Sequence, residues 1–135
     1  MFRLLLIALA VGNVLTGLVV LVAPQWFYDT VPGVSMMGPF NIHFIRDAGL
    51  SYAASGLIAA LGWHRQDYLL CVAGFTWPCF HALFHLQMWL ARGLPVDLVA
   101  FVNLTGIQFP AWAALIAAVL LLRQRRGVAH AQVSD

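Results

Sequence analysis

Charge is what this chain has least of. Of 135 residues, 9% are charged, seven Lys or Arg and five Asp or Glu, whereas 62% are hydrophobic. No basic cluster is large enough for nucleic-acid binding, so nucleic acid is not an expected partner. Five carboxylates are also too few for a ferritin-like di-iron centre, which draws several glutamates from four helices. Cysteine is scarce as well. Cys71 and Cys79 fall on one expected helix about 12 Å apart along its axis, too far for a disulfide with each other, and they read as apolar core thiols. No thiolate-rich metal site, internal repeat, low-complexity tract or second domain is visible.

What remains is apolar sequence beyond what a soluble core of this size would absorb. Leu4 to Ala23 is apolar apart from Asn13 and Thr16, about the 20 residues a bilayer-crossing helix needs. The rival reading is a secretory signal peptide, since Arg3 precedes an apolar run. The run exceeds the usual signal core and lacks a small-x-small cleavage site at its end. Further spans are expected at 41–63, 68–90 and 98–122. Between the first two, Pro24 to Pro39 reads as an interfacial loop with the aromatic cluster Trp26-Phe27-Tyr28 at headgroup level. His64-Arg65-Gln66-Asp67 and Arg92 to Asp97 are turns short enough to make their flanking helices antiparallel neighbours. The tail, 123–135, is polar.

The expected fold is all-α: an antiparallel, up-down four-helix transmembrane bundle. Arg3, Arg65, Arg123, Arg125 and Arg126 fall on one side and Arg92 occupies a loop on the other, so both termini are expected to be cytoplasmic. The lipid bilayer is then the first partner. In the second span, Gly49, Ala53, Gly56 and Ala60 form a small-residue stripe suited to close helix approach, from a neighbouring helix, a membrane-protein partner or another copy.

Histidines in an apolar span carry the candidate chemistry, because such groups are costly in lipid and face bundle interiors, relays or ligands. His43 and Asp47 stand at i and i+4 on the second span; His81 and His85 do so on the third, just past Pro78. At 1.5 Å per residue from the outer ends, their depths are about 3, 9, 13 and 7 Å, one layer within the uncertainty of the helix ends. Three imidazoles and a carboxylate suit zinc, iron, manganese or copper. The expected metal set is therefore His43, Asp47, His81 and His85. Asp47 would be ligand or proton acceptor, and Arg46 a charge stabiliser in redox or hydrolytic chemistry on a lipophilic substrate. The plainer role for Arg46 is an ion pair with Asp47 or a snorkel towards the headgroups. Haem b is the alternative cofactor, held for example by His43 and His81, with Met88 as another axial candidate. Asn13, Thr16 and Asn103 fall at similar depths and could orient the imidazoles. Pro78 frees the carbonyl of Gly74, and with Pro110 at the same level it could widen a cavity. Asn103-Leu104-Thr105 matches a glycosylation sequon, but it lies within a span and reads as chance.

The run Pro39-Phe40-Asn41-Ile42-His43-Phe44-Ile45-Arg46-Asp47-Ala48-Gly49, with Ser55-Gly56 and His81-Ala82-Leu83-Phe84-His85, resembles a group of short, uncharacterised bacterial four-span membrane proteins. In size and topology the chain is similar to DoxX-like proteins. The resemblance implies a multi-pass inner-membrane location and transfers no catalytic residue. Two functions from other classes compete with metal binding: an accessory subunit of a larger membrane complex, and a small-molecule or proton pathway.

Overall fold

In the computed structural model, which describes residues 1–133, the chain is all-helical. Helix α1 runs Phe2–Val22, α2 Pro24–Thr30, α3 Ile42–Arg65, α4 Tyr68–Ala91, α5 Leu98–Val102 and α6 Phe109–Val133. A π-helical segment, Asn103–Gln108, joins α5 to α6, so the last rod is continuous. The last two residues of the expected tail, 134–135, lie outside the described residues.

Local chemistry accounts for the boundaries. Asn41 caps α3, its side-chain oxygen accepting from the His43 and Phe44 amides, and Asp67 caps α4 through Leu69 and Leu70. Gln66 ends α3 in the left-handed region (φ 55°), so only Gln66 and Asp67 separate two helices of 24 residues each. Helix α4 runs unbroken through Pro78. Two features depart from expectation. The stretch from Pro24 is not wholly irregular, because Pro24 occupies the first turn of α2, where its missing N–H costs nothing. The last rod is not a plain α-helix ending at Leu122; it widens into the π segment ahead of Pro110 and continues through Val133.

The four long rods form a closed ring: α1 packs on α3, α3 on α4, α4 on α6 and α6 back on α1. Small residues set the spacing. A Cβ added to Gly17 of α1 would lie 2.5 Å from the Ala53 backbone nitrogen of α3, and one on Gly56 of α3 would lie 2.5 Å from the Ala10 carbonyl of α1. Gly74 of α4 makes the matching approach to Ser55 and Ala59 of α3. Of the stripe, Gly49, Ala53 and Gly56 are thus used within the chain, against α1, and Ala60 packs at the edge of the core. Towards the end that carries the N-terminus, Leu6, Ala10, Ala59, Cys71, Phe75, Ala114, Ala117 and Ala118 fill the core. Both cysteines are free and buried, Cys71 donating to the Ala59 carbonyl and Cys79 to the Ala111 carbonyl, each at 3.5 Å.

Large apolar side chains cover the outside instead of the core. Leu4, Leu15, Val22, Phe44, Leu57, Phe80, Phe101 and Phe109 are all exposed, far more than isolated surface leucines would explain. Three helical stretches are long and apolar enough to cross a membrane: Phe2–Val22, Tyr68–Ala91 and Leu98–Gly127. Helix α3 is long enough but more polar.

The two ends of the ring are finished differently. At the end carrying the N-terminus, Trp63 Nε1 donates to the Arg3 carbonyl at 2.9 Å, and Arg125 lies over the Tyr68 ring while bonding Gln66 at 2.6 Å. At the opposite, distal end, Trp89 Nε1 donates to the Pro95 carbonyl at 2.9 Å, and Arg92 pairs with Asp97 at 2.6 Å. Asp97 also caps α5 by accepting from the Ala100 amide, the main reason its carboxyl titrates below the usual range, with Arg92 adding to it.

Two outcomes follow. Replacing Gly56 by valine should push α1 off α3 and cost about 1–3 kcal/mol, as overpacking of a tight contact does; reversible unfolding in mixed micelles measures it. Because the folded Asp97 is the stronger acid, its contribution is complete above the unfolded value, about pH 4, and is lost as pH falls through the lower folded value. The Ala100 amide shift in micelles should report that loss, and Asp97→Asn, which keeps a capping oxygen without the charge, should abolish the pH dependence.

Candidate functional site

One face of α4 towards the distal end is lined with rings. Trp77, His81 and His85 recur every four residues, so their side chains stand one above the next. Trp77 and His81 stack with centroids 4.9 Å apart and planes 13° apart. His81 and His85 meet edge-on at 4.5 Å. Tyr52 of α3 closes the side of this ladder, 4.8 Å from Trp77 and 5.6 Å from His81, edge-to-face with both. Both imidazoles are partly buried. Each edge or stacked contact is worth about 0.5–1.5 kcal/mol beyond simple burial, which helps hold the two histidines in position.

The ladder leads into a cleft of about 50 Å³ at the distal end, lined by His85, Met88 and Arg92 of α4, Met36 of the 3₁₀ turn Ser35–Met37, and Asn103 of the π segment, among others. That volume admits an ion or a few waters, since one water needs about 10–15 Å³ of such space. Beneath it lies a buried amide network. Gln108 Nε2 donates to the Ala82 carbonyl at 2.7 Å and to Asn103 Oδ1 at 3.2 Å, while Trp112 Nε1 donates to Gln108 Oε1 at 3.0 Å. Ala82 follows His81 directly, so the network clamps the last rod to α4 at the level of the histidines. The π segment makes this reach available. Its Phe109 amide bonds the Leu104 carbonyl, five residues back, and the wider turn presents both Asn103 and Gln108 inward.

His43 and Asp47 form a different pair. Their side chains face each other, Nε2 to Oδ2 at 3.5 Å, and are 87% and 57% exposed. At 100° per residue, Asp47 is turned about 140° from Tyr52, the α3 residue that meets the histidine ladder. The expected four-residue set is therefore present as two separate pairs, and among the described residues no three His, Cys, Asp or Glu side chains gather to hold a metal ion. Arg46 is exposed and forms no ion pair among the described residues; the acid beside it faces His43 instead. Ser55, three i+4 steps along α3 from His43, is buried against α4, because a row of such steps drifts about 40° per step and passes from one face to the next.

The expected supporting groups are also redistributed. Asn13 and Thr16 lie on α1, whose main contacts are with α3 and α6. Asn103 does line the cleft beside His85, but its oxygen is taken by Gln108. Three contributors were not singled out by the sequence: Tyr52, Gln108 and Met36. Gln108 had a signal, since a glutamine within an apolar span must find partners.

Comparison with family models, with curated proteins and with solved structures found no match.

Gln108 offers a direct test of the clamp. Gln108→Leu leaves the Trp112 N–H and the Asn103 oxygen without partners and should cost about 1–3 kcal/mol, the range for stranded buried polar groups. Thr105→Val, at an exposed site in the same segment, should cost much less in the same micelle unfolding measurement.

Proposed function

We propose that this chain is a four-span protein of the bacterial inner membrane, both termini cytoplasmic, that binds a transition-metal ion through His81 and His85 in the outer half of the bilayer. The observation that carries the reading is the His81/His85 pair itself: two partly buried imidazoles one turn apart, 4.5 Å between ring centroids, the second of which lines a cleft. Imidazoles at i and i+4 are a recurrent two-point anchor for one ion.

The four-span arrangement is supported by the position of α3. It is about 36 Å long at 1.5 Å per residue and is held between α1 and α4, two helices apolar enough to cross a membrane. A two-residue turn ties it to α4, which supports α3 crossing the same slab. Arg3, Arg65 and Arg123, Arg125 and Arg126 collect at the end with the termini, whereas Arg46 and Arg92 are on the distal side, the asymmetry expected of a cytoplasmic N- and C-terminus.

The ion would supply Lewis acidity or a redox couple to a lipophilic substrate entering from the membrane or the periplasm. Tyr52 and Trp77 hold His81 in place, and the Gln108 network fixes the height of the last rod against it. Arg46, His43 and Asp47, exposed on another face, are assigned no share in holding the ion; they are available to a substrate or partner at the outer surface. That exposed polar face also supports a second reading, an accessory subunit docking on a larger complex through α3, for which stoichiometric co-purification from native membranes is the test.

Elemental analysis of the protein purified in detergent checks the metal. Wild type should carry about a single transition-metal ion per chain, and His81→Ala and His85→Ala should each lower occupancy at least about tenfold, while His43→Ala and Asp47→Asn should retain it. Equal metal in all five proteins would refute the assignment, and a Soret band would replace the ion by haem.

A further inference from the structure

The metal reading leaves the identity of the ion open, and the cleft narrows it. We propose that the ion is monovalent copper, with the thioethers of Met88 and Met36 completing the site begun by His81 and His85; this inference rests on the metal reading above.

Placement is the first argument. His81, His85 and Met88 fall at i, i+4 and i+7, a single stripe of α4. Met36 approaches from the opposite wall, and His85, Met88 and Met36 line the same cleft of about 50 Å³. The chain has four methionines. Apart from Met1, all of them, Met36, Met37 and Met88, belong to the segments at the distal end. A methionine used only as filler would serve equally well along the lipid-facing surfaces, where leucine, valine and phenylalanine are used instead.

Charge is the second argument. The residues around the cleft contribute imidazole, thioether, amide and the Arg92 guanidinium, whose charge is matched by Asp97 at 2.6 Å. Among the described residues no carboxylate lines the cleft. A divalent ion held by neutral ligands would keep its full charge beside the buried Ala100 and Asn103 and the half-buried His85, and the desolvation cost of charge rises with its square, so a monovalent ion incurs roughly a quarter of that cost. Softness is the third. Thioether sulfur binds zinc, manganese and ferrous iron poorly and selects Cu(I), and imidazole is a good co-ligand for it. Methionine also has the torsional freedom to close on an ion from an exposed turn, as Met36 would have to do from 63% exposure.

The test is an anaerobic titration of the purified full chain in detergent with Cu(I) buffered by a chromogenic chelator, run in parallel with Zn(II). Met36→Leu/Met88→Leu is nearly volume-conserving and should keep the fold, which circular dichroism and elution volume verify. Wild type should bind a single Cu(I) per chain with sulfur scattering at the copper absorption edge. The double methionine variant should lose that scattering and bind Cu(I) at least about tenfold more weakly, with Zn(II) binding changed by less than about twofold. His81→Ala/His85→Ala should lose both ions. Unchanged Cu(I) affinity in the methionine variant would overturn the copper assignment while leaving a histidine metal site standing. Failure of wild type to bind any transition metal would overturn both.

Discussion

Backbone contact at glycine is the constraint on which the rest of this structure depends. Helix α3 is the most polar of the long rods, yet it occupies a place in the ring between two apolar ones. It can do so because Gly17 and Gly56 let α1 and α3 touch main chain to main chain, and Gly74 lets α4 do the same from the other side. In lipid there is little hydrophobic gain from bringing helices together, so van der Waals contact over close-packed backbones is a principal attraction available. Once α3 is seated, the azimuth of every side chain on it is decided: Tyr52 meets α4, Ser55 is buried, and His43 and Asp47 point away.

The distal end is organised by a second principle, the need of buried polar groups for partners. Asn103, Gln108 and Trp112 satisfy one another and the Ala82 carbonyl, leaving no buried side-chain N or O unpaired among the described residues. This network and the Tyr52/Trp77 ring contacts hold the two α4 histidines between two neighbouring rods. The cleft above them is the meeting point of the 3₁₀ turn, the end of α4 and the start of the last rod.

Helix existence and approximate extent were legible in the sequence, because apolar runs bounded by Asn41, Asp67 and Asp97 caps and by two short turns leave little choice. The small-residue stripe was legible as a packing face, though not which helix would fill it. The candidate site was legible in part. Axial depth follows from counting residues, and by depth all four groups share a layer. Azimuth does not follow from counting alone, because it requires knowing which face of α3 meets α4, and that is set by Gly74 against Ser55 and Ala59. Met36 could not be placed on the cleft from sequence, since it lies in a turn whose path depends on α2. The π segment was hidden for a related reason: Pro110 announces a disturbance in the hydrogen-bond ladder without saying whether the helix bends, breaks or widens.

That widened turn makes the last rod a helix whose two parts are out of phase. A π turn is equivalent to one surplus residue accommodated without a break, so everything before it is rotated relative to an uninterrupted helix by about 100°. The cleft wall formed by Val99, Ala100 and Asn103 therefore owes its orientation to a single residue of length, not to the identity of its side chains. Shortening the segment by one residue would restore regular α-helix while turning that wall towards lipid, and the pocket would open without any of its lining residues having been replaced.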